Sequence, residues 1–108
     1  MIIVLGSVLV RPDCIGEALA ISQAHVQRSR AEPGCIAHGV SIDAEQANRL
    51  VFVERWAAIE ALRAHFRVPA SRGFVQALTA LALAPPLMSL HESTEVDAAG
   101  NAIVVTQT

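Results

Sequence analysis

The run Arg49-Leu-Val-Phe-Val-Glu-Arg-Trp56 alternates in period two: Leu50, Phe52, Glu54 and Trp56 share one side of an extended chain, and Val51, Val53 and Arg55 the other. β-Branched and aromatic residues fill it and nothing in it breaks a pleat, so it predicts a strand that is apolar at its centre on both faces. Ile2 to Val10 is nearly unbroken apolar sequence with Gly6 and Ser7 as small inserts, and predicts a first strand buried on both sides. From 35 to 42 the alternation returns, with Ile36, His38, Val40 and Ile42 on one face and Cys35, Ala37, Gly39 and Ser41 on the other. Polar residues Asp43 to Asn48 connect this strand to the next as a hairpin, and Leu87 to Val96 predicts a fourth core strand.

Helical spacing occupies the intervals. Arg11-Pro12-Asp13 stops the first strand, and Asp13 is placed to cap a helix from about Cys14 to Ala31. Ile15, Leu19, Ser22 and Val26 form its stripe, Gln23, Gln27 and Arg30 face water, and Glu32-Pro33-Gly34 ends it. A second helix, Ala57 to Phe66, carries Ile59, Leu62 and Phe66 on one stripe with His65 on its flank, and Val68-Pro69 closes it. A third, about Ala70 to Ala84, carries Phe74, Leu78 and Leu81 and stops at Pro85-Pro86. Strand, helix, strand, strand, two helices, strand is the split β-α-β order of ferredoxin-like folds. The class is therefore α+β, a four-stranded antiparallel sheet with its helices on one face. Residues 1–96 make this domain. Residues 97–108 form a C-terminal extension with a turn at Asp97 to Gly100 and a possible short strand at Ile103-Val104-Val105.

Composition adds a partner. Of 108 residues 53% are hydrophobic and 17% charged, against about 25% charged in an ordinary domain. The sheet has two apolar faces and helices enough for one, so the expectation is a homodimer, two sheets face to face in a dimeric α+β barrel. The formal net charge is −2 and the eight basic residues are scattered arginines, which argues against nucleic acid or an anionic membrane as partner. No stretch reaches the length of a membrane span, and Met1-Ile-Ile-Val-Leu lacks a basic leader and a cleavage site. A cytoplasmic protein with Cys14 and Cys35 reduced is expected. The four histidines lack ligand spacing, and no phosphate loop, Rossmann crossover or nucleophile elbow is present. No metal or nucleotide cofactor is therefore expected.

Several side chains carry candidate chemistry, each with a plainer alternative. Glu54, mid-strand on an apolar face, is costly unless paired; it is either a base or hydrogen-bonding group for substrate, or a structural partner for an arginine or backbone amides. Trp56, on the same face, is either a flat wall for an aromatic ligand or a core filler. His65 can take a phenolic proton near neutral pH, or simply sit at a helix C-terminal end. His38 and His91 lie in strands and either line a cavity or are satisfied core groups. Arg72 can bind a carboxylate or phenolate at a pocket mouth, or pair with Glu60 or Glu54. Ser7 can hydrogen-bond a ligand or merely make room, and Cys35 reads as packed rather than reactive.

In order and spacing, Glu32-Pro33-Gly34-Cys35, Glu54-Arg55-Trp56, Glu60-Ala61-Leu62, Ala64-His65-Phe66, and Pro69 followed by Arg72 and Phe74 resemble the antibiotic biosynthesis monooxygenase family. The resemblance covers about residues 1 to 96. It implies a dimeric α+β barrel and, in several members, oxygenation of phenolic or quinol-type substrates with O2 and neither flavin nor metal. Other members degrade haem, isomerise small signalling molecules, or have no known activity. With it, His65, Trp56 and Glu54 become the catalytic candidates, and Ser7, His38, Phe52, Phe66, Arg72 and Phe74 the substrate-binding ones. Departures from the family pattern count as well. Ala70 and Ser71 stand where a histidine and an aromatic are usual. Phe52 stands where some polyketide-oxidising members carry asparagine. Ser7, His65 and Val75 stand where haem-degrading members use asparagine, tryptophan and histidine, and valine cannot ligate iron. The expected function is cofactor-independent monooxygenation of a small aromatic. The alternatives are a small-molecule isomerase or a non-enzymatic dimeric ligand-binding or stress protein.

Overall fold

The computed structural model describes residues 1–103. The elements are β1 (Ile2–Leu9), a 3-10 turn (Pro12–Cys14), α1 (Ile15–Arg30), β2 (Cys35–Asp43), β3 (Gln46–Trp56), α2 (Ile59–Arg67), α3 (Pro69–Leu81) and β4 (Leu87–Glu92). The strands form one antiparallel sheet in the order β2-β3-β1-β4. β1, the most continuously apolar segment, is flanked by partners on both edges, as a strand with no polar face requires. The helices contact one side of this sheet, giving the α+β ferredoxin-like fold.

Register explains where the interior divides. Val4 pairs with Glu54, Gly6 with Phe52 and Val8 with Leu50 across the β1–β3 ladder. Towards one end Val8, Val10, Ala18, Leu50, Phe52, Leu78 and Leu81 form one apolar cluster. Towards the other, Ile2, Val4, Trp56 and Leu62 form a second. Glu54 falls on β3 between Phe52 of the first and Trp56 of the second, and the buried polar side chains His25, His38 and His65 gather beside it. The core is thus two apolar masses separated by a polar seam.

The opposite sheet face is bare in the single chain. Leu5 and Val53, paired in register, are 46% and 48% exposed, and Leu87 on β4 is 71% exposed. Every residue of β4 is exposed.

Local departures from the sequence reading have physical causes. Pro12 sends the chain into a 3-10 turn, so α1 starts at Ile15 with Cys14 as its N-cap and no side-chain cap. Asp13 instead accepts a weak contact from the Cys14 thiol at 3.7 Å. A bulge between Cys35 and Ala37 shifts the parity of β2, leaving Ile36 on the surface and turning Cys35 against the Trp56 cluster. On α2 the buried positions are Leu62 and His65, with Phe66 39% exposed, so histidine rather than phenylalanine faces inward. α3 ends at Leu81, because the Leu83 amide bonds the Leu9 carbonyl and Ala82 bridges Val10. β4 stops at Glu92, short of Val96. In the extension, Asp97 Oδ1 accepts the amides of Ala99 and Asn101 and makes the expected turn. Val96 bridges Ala102, Ile103 is not in a strand, and Val104-Val105 lie outside the described residues.

Candidate active site

A cavity of about 480 Å³ opens between the sheet and the helices, within the size range of small-molecule sites. Its walls are mostly apolar: Val8, Phe52, Phe74, Leu78, Phe66, Val75 and, at β4, Leu87 and Met88. Gly6 lies in the floor opposite Phe52, where a Cβ would sit 3.5 Å from the Phe52 Cβ; the missing side chain leaves the floor open. His25, His38, Glu54 and His65, where the cavity meets the seam between the two cores, are its buried polar lining.

Two carboxylate–imidazole pairs organise that seam. Glu32, in the turn after α1, places Oε1 2.9 Å from His65 Nδ1. The turn itself depends on Gly34 at φ +82°, where a Cβ would come 2.5 Å from that of Ala61 on α2. Only glycine lets Glu32 approach α2 this closely. With Nδ1–H donated to the carboxylate, Nε2 of His65 carries the lone pair of a base.

The second pair is looser. Glu54 accepts the Trp56 indole N–H at 2.9 Å through Oε1, and its Oε2 lies 3.6 Å from His38 Nε2. That distance is too long for a hydrogen bond. Burial pushes Glu54 up, only partly countered by the indole N–H, and burial together with His65 and Arg30 holds His38 down to about 4. Both groups shift towards their uncharged forms, so the contact is not a formed ion pair. His38 Nδ1 is buried without a partner among the described residues, while the His38 carbonyl accepts Arg30 Nε at 3.0 Å, tying β2 to the end of α1.

The remaining imidazole, His25 on α1, was not singled out by sequence. Its ring stacks on Phe74 at 4.0 Å and 6°, and its centroid is 5.3 Å from His38 and 5.2 Å from His65. Burial, reinforced by His38, His65 and Arg28, holds it down to about 3. The signal in the sequence was the spacing Ser22-His25-Val26-Ser29, all buried on one face of α1. The residues around the cavity include eight of the expected ones: Ser7, His38, Phe52, Glu54, His65, Phe66, Arg72 and Phe74. Trp56 is wholly buried one layer behind them, reaching the site through Glu54 and through His65, 4.8 Å away. It does not form the wall itself. Arg72 lines the cavity, and among the described residues it pairs with neither Glu60 nor Glu54; Nη2 bonds the Arg67 carbonyl at 3.1 Å. His91 lies on β4, bonded to Ser89 at 2.9 Å and away from the cavity. Among the described residues no group of three His, Cys, Asp or Glu side chains is set to hold a metal ion. Val75 offers haem iron no ligand although it lines the cavity with Ser7 and His65.

Comparison with known proteins agrees with this fold. The chain is 34% identical over 94 residues to the uncharacterised protein sll1783 of Synechocystis sp., an alignment covering 87% of this chain and 64% of that one. The chain thus spans less than two thirds of that relative's length. Its fold matches a crystal structure of an antibiotic biosynthesis monooxygenase with a TM-score of 0.82 at 23% identity, over 88% of this chain and all of the other. It matches Rv0793 from Mycobacterium tuberculosis with a TM-score of 0.82 at 23% identity, over 90% and 98%. A conserved protein from Methanosarcina mazei matches with a TM-score of 0.80 at 21% identity, over 83% and 89%. No helix of the described residues is long and apolar enough to cross a membrane. Residues 1–77 match the family model described as antibiotic biosynthesis monooxygenase, and the chain belongs to that family.

Proposed function

We propose that this protein oxygenates a small phenolic or quinol-type aromatic with O2, the substrate rather than a cofactor supplying the electrons. The observation that carries this is the His65 imidazole, fixed at 2.9 Å by Glu32 and facing an apolar cavity of about 480 Å³. Phe52, Phe66 and Phe74 bind the aromatic body, and Arg72 contacts its polar groups, whereas Ser7, paired with Val51, turns its side chain to the opposite sheet face. His65 Nε2 removes the hydroxyl proton, which makes the ring electron-rich enough to reduce O2. A new C–O bond gives a hydroperoxide at a carbon that still bears hydrogen. Loss of that C–H proton and cleavage of O–O leave a carbonyl and one water, so each oxygen atom of O2 is accounted for. Trp56 packs against His65 and fixes Glu54 through its indole N–H, and Glu54 stands in the cavity wall beside His38.

The bare face with Leu5, Val53 and Leu87 is covered by a second copy of the chain, which closes the barrel. A purely structural or stress role would leave no space between sheet and helices, and a cavity is present there. An isomerase reading is favoured by one feature: His38 and His65, 5.9 Å apart, could take a proton from one position of a small carbonyl compound and return it at another. Oxygen-electrode and anaerobic assays on a panel of quinols and hydroxyanthrones separate the readings. Turnover that needs O2 supports oxygenation, turnover that persists without it supports isomerisation, and none in either removes the main support for an enzyme of these substrates.

A further inference from the structure

His25 has no place in the mechanism above, yet three other rings pack against its own. Phe74 covers one face of its ring, His38 stands edge-on to it at 88°, and His65 is tilted against it at 49°. The residue is 5% exposed and borders the cavity. No hydrogen bond among the described residues engages its ring. A second proton there would be buried beside two other imidazoles and the Arg28 guanidinium, so the ring stays uncharged. An uncharged imidazole still has one N–H to donate.

We infer that His25 is a hydrogen-bond donor to the substrate oxygen after His65 has taken its proton, so that the inner end of the cavity is an oxyanion site selective for phenolates or enolates. A donor that is already fixed, dry and neutral stabilises developing negative charge without reorganising and without competing for the proton that His65 removes. The flat contact with Phe74 sets the ring plane before substrate arrives, which is what such preorganisation needs. Glu54, the carboxylate bordering the same space, has its Oε1 occupied by the Trp56 N–H, and its Oε2 is turned to His38. The oxyanion is thereby directed towards His25 and His65. This inference rests on the phenol-binding reading given above.

Binding of a chromogenic phenol, 4-nitro-1-naphthol, tests it without any need for turnover. Its visible spectrum separates phenol from phenolate, and quenching of Trp56, the single tryptophan, reports occupancy. The wild-type protein is expected to bind the phenolate at least about tenfold more tightly than the phenol. H25F keeps the stack on Phe74 but has no N–H; it should lose that preference while holding the neutral phenol within about twofold. H25Q, which retains an amide donor, should recover part of it, and thermal melts establish that both variants are folded. Binding with the same phenolate preference in H25F overturns the role of His25 and leaves the phenol-binding reading standing. No binding by the wild-type protein in either form overturns both.

Discussion

Glu32 and His65 are 33 residues apart in sequence and 2.9 Å apart in the fold. Their contact spans the turn between α1 and β2 and the buried side of α2, so it forms only when the sheet and both helices are in place. Glu32 orients the base and fixes its tautomer. E32Q keeps the shape but removes the charge that favours Nδ1–H. It should lower kcat by about tenfold or more with little change in KM, as loss of an orienting carboxylate does to a histidine base. H65Q should abolish O2 consumption to within the uncatalysed rate. Equal kcat in E32Q and wild type would assign the contact to stability alone.

The acid response follows from the other two imidazoles. His25 and His38 are held down to about 3 and about 4 from an ordinary 6.5. The unfolded chain therefore takes up protons as pH falls below about 6.5, while the folded protein does not until near 4 and 3. Stability from these two groups is complete above pH 6.5 and is lost as pH falls towards the folded values. Glu54 acts in the opposite sense: raised by burial, it costs stability as pH rises above its ordinary 4.5. With two depressed histidines set against one raised carboxylate, Tm should fall by several degrees between pH 7 and pH 5. H25F should flatten that slope and E54Q should steepen it. A Tm that rises on acidification would mean that Glu54 dominates.

Glu54 and Trp56 are coupled through one hydrogen bond of 2.9 Å. Removing the indole N–H leaves Oε1 of a buried carboxylate without a donor, at a cost of about 1–3 kcal/mol. W56F should therefore destabilise the protein by that amount plus some loss of packing, whereas W56F combined with E54L should recover much of the polar part. A double-mutant cycle from urea unfolding measures the coupling.

The turn at Gly34 gives a sharper stability test. Its φ of +82° and the 2.5 Å approach of a built Cβ to Ala61 leave no room for a side chain. G34A should cost about 1–3 kcal/mol through the strained backbone alone, and the clash should also push Glu32 away from His65. Activity and stability should fall together in G34A. In G34A/A61G, where the clash is relieved, activity should recover more than stability does.

Most of the fold was legible because its punctuation is chemical. Pro12, Pro33-Gly34 and Pro69 end segments whatever surrounds them, and the period-two pattern through Leu50, Phe52, Glu54 and Trp56 identifies the inward face of β3. The Cys35–Ala37 bulge was not legible, because one inserted residue reverses parity without changing composition. His65 was visible as chemistry but misplaced to a flank, since Phe66 satisfies a hydrophobic stripe better than histidine does. Its inward turn reflects Glu32, a tertiary partner. His25 was missed for the same reason: a histidine among Ser22, Val26 and Ser29 looks like a gap in an apolar stripe until β2 and α2 bring His38 and His65 to it. Glu32 passed for an ordinary turn residue, because its meaning lies across the fold.

The bare sheet face carries the last test. Leu5 and Val53 face each other in register at its centre, each nearly half exposed, and Leu87 continues the patch on β4. An apolar surface of this kind is stable in water when another surface covers it, at about 25 cal/mol for each Å² removed from solvent. Light scattering after size exclusion should show a dimer at micromolar concentration. L5K/V53K places two cations at the centre of the patch, where two copies would oppose four, and should give a monomer with near-native far-UV circular dichroism. Because Leu87 and Met88 also border the cavity, separating the copies should loosen the cavity mouth and raise KM without altering the Glu32–His65 contact. A wild-type chain that stays monomeric at micromolar concentration would leave the barrel without its second half.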